Sequence, residues 1–249
     1  MASNPIADIF RIKDLRERVL FTLSILAIFR LGATIPIPGI NLNALQLYFD
    51  TQQAGAGISV TDYLDFFAGG AFSRFSVFML GIMPYISMSI IMQLLLLVFP
   101  ALKRISEEDG GRKKIQRYTR YGTVVVALIQ SFAVTVYADS IPDAITISRG
   151  LYTVVSMISV TSGTVLLMWM GEQINQRGIG NGISLIIFSG IVAMMPNAMW
   201  LLVQRVRTGD LNPVFVIVVF AMFVAVVSLV VYEQRGQRKI PIHYAKRVV

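Results

Sequence analysis

The sequence has no cysteine, a single histidine and few charged residues for its length. Without cysteine there is neither a disulfide framework nor a thiolate metal site. The histidine, His243, stands apart from the scattered aspartates and glutamates, so no clustered ligands or acid/base pair indicate a metal site, a cofactor or an enzyme. Charged residues make up only 14% of the 249 residues, whereas soluble domains have about 25%. This composition argues against a water-soluble fold.

What the sequence does have is long apolar runs: hydrophobic residues make up 55% of it, and its mean hydropathy is +0.67. Five runs lack Asp, Glu, Lys, Arg and His, and each is close to the ~20 residues that cross a bilayer as a helix. These runs cover residues 75–102, 121–138, 150–171, 178–204 and 211–232. A sixth begins at Val19 and continues past Arg30 to Ile35. The pattern predicts an all-α, polytopic transmembrane helix bundle with six spans, as one membrane domain over residues 1–249.

The basic residues predict the orientation of this bundle. Seventeen of the 22 lysines and arginines lie in the N-terminal segment, the second and fourth loops and the C-terminal tail, and only four lie in the other loops. The positive-inside rule therefore places both termini in the cytoplasm. The excess charge has two open interpretations, namely topology with attraction to anionic lipids or docking of an acidic partner or RNA phosphates. Residues 1–18 are predicted to form a cytoplasmic interfacial helix, and the charges before the first span argue against a cleaved signal peptide.

The segment 60–74, between the first two spans, is too short and too polar to cross the membrane. Thr61 and Asp62 can cap a brief helix, and the pair Gly69 and Gly70 predicts a flexible break after it. The apolar side chains that need cover are Leu64, Phe66, Phe67 and Phe72. Two placements stay open: a re-entrant piece tucked into the protein or a helix on the surface.

Isoleucines recur every four residues in two spans and form an apolar stripe on each helix. The stripes are Ile82, Ile86 and Ile90 in the second span, and Ile183, Ile187 and Ile191 in the fifth. Such stripes are either packing and lipid-facing surface or part of a hydrophobic constriction that excludes water and ions.

Several other residues in the first two spans predict either a bend in the helix or a polar partner for the side chain. Pro84 predicts a bend in the second span, and the side chains of Ser87 and Gln93 predict contact with another helix or an aqueous path. Arg30 lies within the first span, where a charge costs about 2.5–3.5 kcal/mol. Snorkelling or pairing with backbone carbonyls, or else a direct functional role, can account for it.

Six short motifs in register resemble the SecY family of protein-conducting channels over essentially the whole chain. They are IPIPGI at 35–40, GIMPYIS at 81–87, QRYTRYG at 116–122, WMGEQI at 169–174, RGIGNGIS at 177–184 and YAKR at 244–247. The resemblance implies a subunit that translocates unfolded polypeptides across the plasma (inner) membrane and inserts membrane segments laterally. Family members have about ten spans in two halves, so this chain corresponds to the N-terminal half.

The resemblance also implies roles for particular residues. The implied pore ring is Ile82, Ile86 and Ile187, with Ile183 one turn away. The implied plug over 60–74 includes Thr61, Asp62, Leu64, Phe66, Phe67, Gly69, Gly70 and Ser73. The implied lateral gate contains Ser87, Ile90 and Gln93, and the implied cytoplasmic docking loop begins in 234–249 with Arg235, Arg238, Lys239, Lys246 and Arg247.

The implied partners are small SecE-like and SecG-like membrane subunits, signal sequences and nascent polypeptides, anionic lipids, and a SecA motor or a ribosome, with possible contact to ribosomal RNA. A polytopic secondary transporter is the alternative function. It would place ionisable residues or broken helices at the bilayer midplane, whereas the apolar runs from 75 onward contain no charge. A membrane-embedded enzyme would need a catalytic pair at depth, and the lone histidine lies in the tail.

Overall fold

The computed structural model describes residues 12–55, 60–209 and 211–236, and this part of the chain is nearly all helical. The helices are α1 (Lys13–Gly32), α2 (Leu42–Gly55), α3 (Val60–Ala68), α4 (Met83–Val98), α5 (Pro100–Glu107), α6 (Gly111–Asp139), α7 (Arg149–Arg177), α8 (Gly182–Thr208) and α9 (Pro213–Arg235). The chain divides into two compact units, Met1–Met195 and Pro196–Val249. The single membrane domain over 1–249 stays a prediction. Most of the predicted interfacial helix over 1–18 lies outside the described residues.

Within the described ranges, four helices are long and apolar enough to cross a membrane, namely α6, α7, α8 and α9. The pair α4 and α5 makes a fifth if the two are taken as one bent span. Helix α1 forms where the first span was predicted, but Arg16, Glu17, Arg18 and Arg30 leave only a short uncharged stretch in it. The prediction of six spans is therefore supported for four or five, and the first span stays a prediction.

The second predicted span, 75–102, was wrong at both ends. Residues 75–82 form turns, with Phe75 and Gly81 at positive φ, so the helix starts only at Met83. At the other end, Phe99 is extended and Pro100 starts α5, which is bent by 103° from α4. A residue before proline is sterically kept out of the helical region, which explains the break. The bend predicted at Pro84 does not occur, because this proline lies in the first turn of α4, where no backbone donor is needed.

The turn before α4 pairs with the chain that leaves α1. The amide of Ile37 donates to the carbonyl of Phe75 at 2.8 Å, and the amide of Val77 donates to the carbonyl of Ile35 at 3.0 Å. These antiparallel bonds join two segments that are far apart in sequence. They fix the chain immediately before α4 against the end of α1.

In the first unit, α6 packs on α7, α4 packs on α6, and α1 packs on α7. Small and hydroxylated side chains let α6 and α7 approach closely, as is usual between membrane helices. Ala127 is fully buried, and the hydroxyl oxygens of Ser131 and Thr161 are 3.4 Å apart. A Cβ on Gly163 of α7 would lie against the backbone carbonyl of Val77. The absence of a side chain at Gly163 therefore lets the turn before α4 pack directly against α7.

Two apolar clusters form the core of this unit. One surrounds the chain that follows α1, the turn after α3, the C-terminal end of α6 and the N-terminal end of α7. It includes Phe72, Phe75, Met79, Val134 and Tyr152. The other lies between α1, the start of α4, α7 and α8, and includes Ile25, Phe29, Phe78, Ile82, Leu167, Met170, Ile174 and Ile186. The second cluster carries the isoleucines of the candidate site.

The second unit contains α9, whose start follows ordinary capping rules. Asn212 is the N-cap and its side-chain oxygen accepts from the amide of Val214 at 2.9 Å, with Pro213 at the first helical position. Helix α9 has no buried residue. A helix that is apolar all round and has no buried face is typical of a segment surrounded by lipid or by other membrane helices.

Candidate functional site

A cavity of about 440 Å³ lies in the first unit between α3, the turn before α4, and helices α4, α6 and α8. Its wall is mainly apolar, and its polar side chains include Ser87 and Gln130. The lining residues are Leu64, Phe67, Ala68, Phe72, Met79, Leu80, Gly81, Ile82, Met83, Ile86, Ser87, Gln130, Ala133, Val134, Tyr137 and Ile187. The cavity is thus where the implied plug, pore ring and gate residues meet.

Three isoleucines that are distant in sequence line this cavity together. Ile82 and Ile86 come from the start of α4, and Ile187 comes from α8. Ile82 is 4% exposed, whereas Ile86 and Ile187 are half-buried. Ile183 belongs to the same apolar cluster but is not part of the cavity wall. An apolar wall of this kind holds water poorly, which is the property that a hydrophobic constriction needs.

The isoleucine stripe of the second span does not begin on a helix. Ile82 is the residue before α4, and its carbonyl accepts from the amides of Tyr85 and Ile86 at 3.1 and 3.2 Å. Those two bonds start the helix and fix Ile82 one turn before Ile86. The four-residue spacing therefore survives although one member lies in a turn.

The segment 60–74 forms the short helix α3 and then a break, as its sequence predicts. The helix begins at Val60, so Thr61 and Asp62 lie in its first turn and do not precede it as caps. Leu64 and Phe67 line the cavity, whereas Phe66 is not part of its wall. Gly69 and Gly70 follow with φ of +67° and +84°, which is the left-handed region that glycine tolerates.

After the glycine break the chain turns back, and the amide of Ser73 donates to Asp65 Oδ1 at 2.9 Å. The side chains of Thr61 and Asp62 lie outside the described residues. The assignment of this segment as a plug stays a prediction.

Arg30 contacts this same segment. Its Nη1 donates to the carbonyl of Gly69 at 2.9 Å. Pairing with a backbone carbonyl was one of the two explanations that the sequence left open, and the structure has such a pair. The carbonyl belongs to the implied plug, which sequence reasoning did not anticipate.

The implied gate residues fall on two different surfaces. Ser87 lines the cavity, whereas Ile90 is 53% exposed and Gln93 is exposed. The amide of Gln93 donates to Ser89 Oγ at 3.5 Å within α4, and its predicted contact with another helix or an aqueous path stays a prediction. Of the implied docking residues, Arg235 is exposed at the end of α9. Arg238, Lys239, Lys246 and Arg247 lie outside the described residues.

Sequence reasoning missed two polar features of α6. Gln130 lines the cavity, and the signal that could have found it is its position as an amide inside the apolar run 121–138. Arg120 Nε donates to Glu172 Oε1 of α7 at 2.7 Å, and Gln116 Nε2 contacts the same oxygen at 3.4 Å. Both members of this ion pair lie in motifs quoted above, but spacing alone does not show that they face each other.

Comparison with known proteins gives consistent results. A family model described as SecY matches residues 76–248. The chain is 51% identical over 241 residues to protein translocase subunit SecY of Borreliella burgdorferi, a match that covers 96% of this chain and 55% of the relative. It is 44% identical over 238 residues to protein translocase subunit SecY of Escherichia coli K12, covering 94% of this chain and 53% of the relative. The chain therefore spans about half the length of the curated relatives it matches.

Two solved structures share the fold. Sec61 in the canine ribosome-channel complex from the endoplasmic reticulum has a TM-score of 0.60 and 21% identity, and the match covers 91% of this chain and 49% of that one. A second structure, described as a protein conducting channel, has a TM-score of 0.58 and 20% identity, covering 84% of this chain and 47% of that one. At this level of identity the likeness speaks for the fold alone.

Proposed function

Since the chain belongs to the SecY family, we propose that it forms the N-terminal half of a channel that moves unfolded polypeptides across the membrane and releases apolar segments into it. The observation that carries this proposal is the cavity wall in which Ile82, Ile86 and Ile187 meet the segment around Leu64 and Phe67. Bulky apolar side chains from separate elements can close around a chain in transit and exclude ions when it is absent. The relatives, named as translocase subunits, favour this function over secondary transport.

In this proposal the helix α3 and the turn after it act as the plug. Helix α4 acts as one side of a lateral gate, with Ser87 at the cavity and Ile90 and Gln93 on its exposed surface. The exposed Ile90 and Gln93 support the gate, because an apolar side chain and an amide on one face can accept an apolar segment with polar backbone ends. The other side of the gate and of the ring comes from the second half of the channel.

We further propose that the membrane is the plasma membrane, with both termini in the cytoplasm. The basic second loop and tail then face a SecA motor or a ribosome, with ribosomal RNA phosphates and anionic lipids as further contacts. The apolar surface of α9 suits small SecE-like and SecG-like subunits or lipid. Charge and exposure support these partners.

The experiment uses a channel protein that carries this sequence as its N-terminal half, reconstituted in a planar bilayer. Ile86→Ser and Ile187→Ser, singly and together, are expected to raise the resting ion conductance severalfold, because each places a hydroxyl in the apolar wall. The matched control is Ile158→Ser on α7, where the isoleucine is 61% exposed and does not line the cavity. Unchanged conductance in the first set, or an equal rise in the control, contradicts the pore assignment.

A further inference from the structure

The helix α3 ends in a motif in which two of its last carbonyls accept hydrogen bonds from the amides that follow, whereas the carbonyl of Gly69 does not take part. The amide of Gly69 donates to the carbonyl of Phe66 at 3.3 Å, and the amide of Gly70 donates to the carbonyl of Asp65 at 3.0 Å. With Gly69 in the left-handed region, this is the Schellman arrangement of a helix C-terminus. The carbonyl of Gly69 itself lies outside the motif and is free to accept from another element.

Arg30 and Gly190 hold that position from two other helices. Arg30 of α1 donates to the Gly69 carbonyl at 2.9 Å, and a cation at a helix C-terminus is favoured by the helix dipole. A Cβ on Gly69 would lie 2.6 Å from Gly190 Cα of α8 and 2.8 Å from Arg30 Nη1. A Cβ on Gly190 would lie 3.2 Å from the carbonyl oxygen of Phe67. The end of α3 therefore packs against the guanidinium of Arg30 and against the backbone of α8 at Gly190, where no side chain intervenes.

The large apolar side chains of α3 contribute little burial that would hold the helix in place. Leu64, Phe66 and Phe67 are 41%, 43% and 45% exposed, so each retains a large part of the surface that burial would remove from water. A charge-assisted hydrogen bond is stronger than a neutral one and depends on direction. The bond from Arg30 is therefore the charged, directional contact at the end of α3, beside the bond from Ser73 to Asp65 and the buried side chains of Ala68 and Phe72.

We propose that Arg30 and Gly190 form a clasp that keeps the plug seated over the cavity in the resting channel. This inference rests on the proposed function and deepens it, since it names positioning residues for the plug. Arg30 acts by holding Gly69, and it is not among the residues that line the cavity. Losing one directional bond releases the segment without disturbing the packing of α6 on α7.

The test measures how fast a thiol on the plug reacts. These 249 residues contain no cysteine, and Ala68, at the end of α3, is 4% exposed and small enough to become cysteine. A channel carrying Ala68→Cys in lipid nanodiscs, with both faces open to solvent, is treated with a hydrophilic maleimide. Arg30→Gln is expected to raise the labelling rate about tenfold or more, as follows from losing a hydrogen bond to a charged group. Arg30→Lys keeps a charged donor and is expected to stay within about threefold of the parent.

The matched control is Arg117→Gln, which removes an exposed arginine from α6 and is expected to leave the rate unchanged. If Arg30→Gln does not assemble, Gly190→Val carries the test. Valine suits a helix better than glycine and crowds Phe67 and Gly69, so the rate is expected to rise. An unchanged rate with Gly190→Val or Arg30→Gln overturns the clasp, as does a lysine variant as fast as the glutamine variant.

The two proposals fail in different ways. If the labelling rate does not change with Arg30→Gln but Ile86→Ser and Ile187→Ser raise the conductance, the clasp is wrong and the channel proposal stands. If the labelling rate rises with Arg30→Gln but the conductance does not change with either isoleucine variant, the contact stands and the pore assignment is wrong.

Discussion

Gly163→Ala should destabilise the protein strongly, although it adds a single methyl group to a helix. A Cβ at this position of α7 would overlap the carbonyl oxygen of Val77 and would lie 2.9 Å from its carbonyl carbon. Carbon and oxygen atoms in ordinary contact are about 3.3–3.6 Å apart, so the turn or the helix must move by more than about 1 Å. Val77 cannot retreat freely, because its amide donates to the carbonyl of Ile35 at 3.0 Å.

The expected magnitude follows from these two costs. Overpacking a well-packed core costs about 1–3 kcal/mol, and losing the hydrogen bond of Val77 adds about 1 kcal/mol. We therefore expect Gly163→Ala to lower the free energy of unfolding by about 2–4 kcal/mol. The assay is titration of the purified protein from mild detergent into sodium dodecyl sulfate, followed by circular dichroism.

The same helix supplies the control. No atom lies within 4 Å of a Cβ built on Gly150, and alanine is favoured over glycine in helices by up to about 1 kcal/mol. Gly150→Ala should therefore be neutral or slightly stabilising. If Gly163→Ala unfolds within about 0.5 kcal/mol of the parent, or both variants lose the same amount, the close approach of α7 to the turn is not as described.

Removing one member of the ion pair between α6 and α7 should cost more than removing both. Arg120→Leu is expected to lower the free energy of unfolding by about 2 kcal/mol in the same titration. This is less than for a fully buried pair, because Arg120 is 41% exposed while Glu172 is 9% exposed. Adding Glu172→Leu should recover part of the lost stability, and a further loss contradicts this. For topology, cysteines at Arg112 and Gln176 should react with an impermeant thiol reagent only from the cytoplasm, and one at Thr146 only from outside. The reverse pattern overturns the proposed orientation.

The later spans were predictable from hydropathy because nothing interrupts them. The run 150–171 became α7 (Arg149–Arg177), and the run 211–232 became α9 (Pro213–Arg235). The second span was not predictable in the same way. Residues 75–82 are as apolar as a helix, but their left-handed turns and pairing with 35–37 depend on contacts that hydropathy does not register.

For the candidate site, helical spacing predicted which isoleucines share a face but not what they face. Ile86 and Ile187 meet at the cavity because α4 and α8 both border it, and that placement depends on the packing of separate helices. The resemblance to the SecY family supplied the pairing in advance. It did not supply Gln130, whose signal was a single amide, or the bond from Arg30 to Gly69, which joins residues 39 positions apart.

The antiparallel bonds between 35–37 and 75–77 have a further consequence for the chain between them. They turn residues 38–74 into a loop with both ends fixed, so an insertion or deletion inside it does not change the register between the end of α1 and the start of α4. Lengthening such a loop costs little, since each doubling adds only about 0.6 kcal/mol of closure entropy. A change of length in the connection between α2 and α3 is therefore expected to leave these bonds in place, together with the start of α4 that they fix.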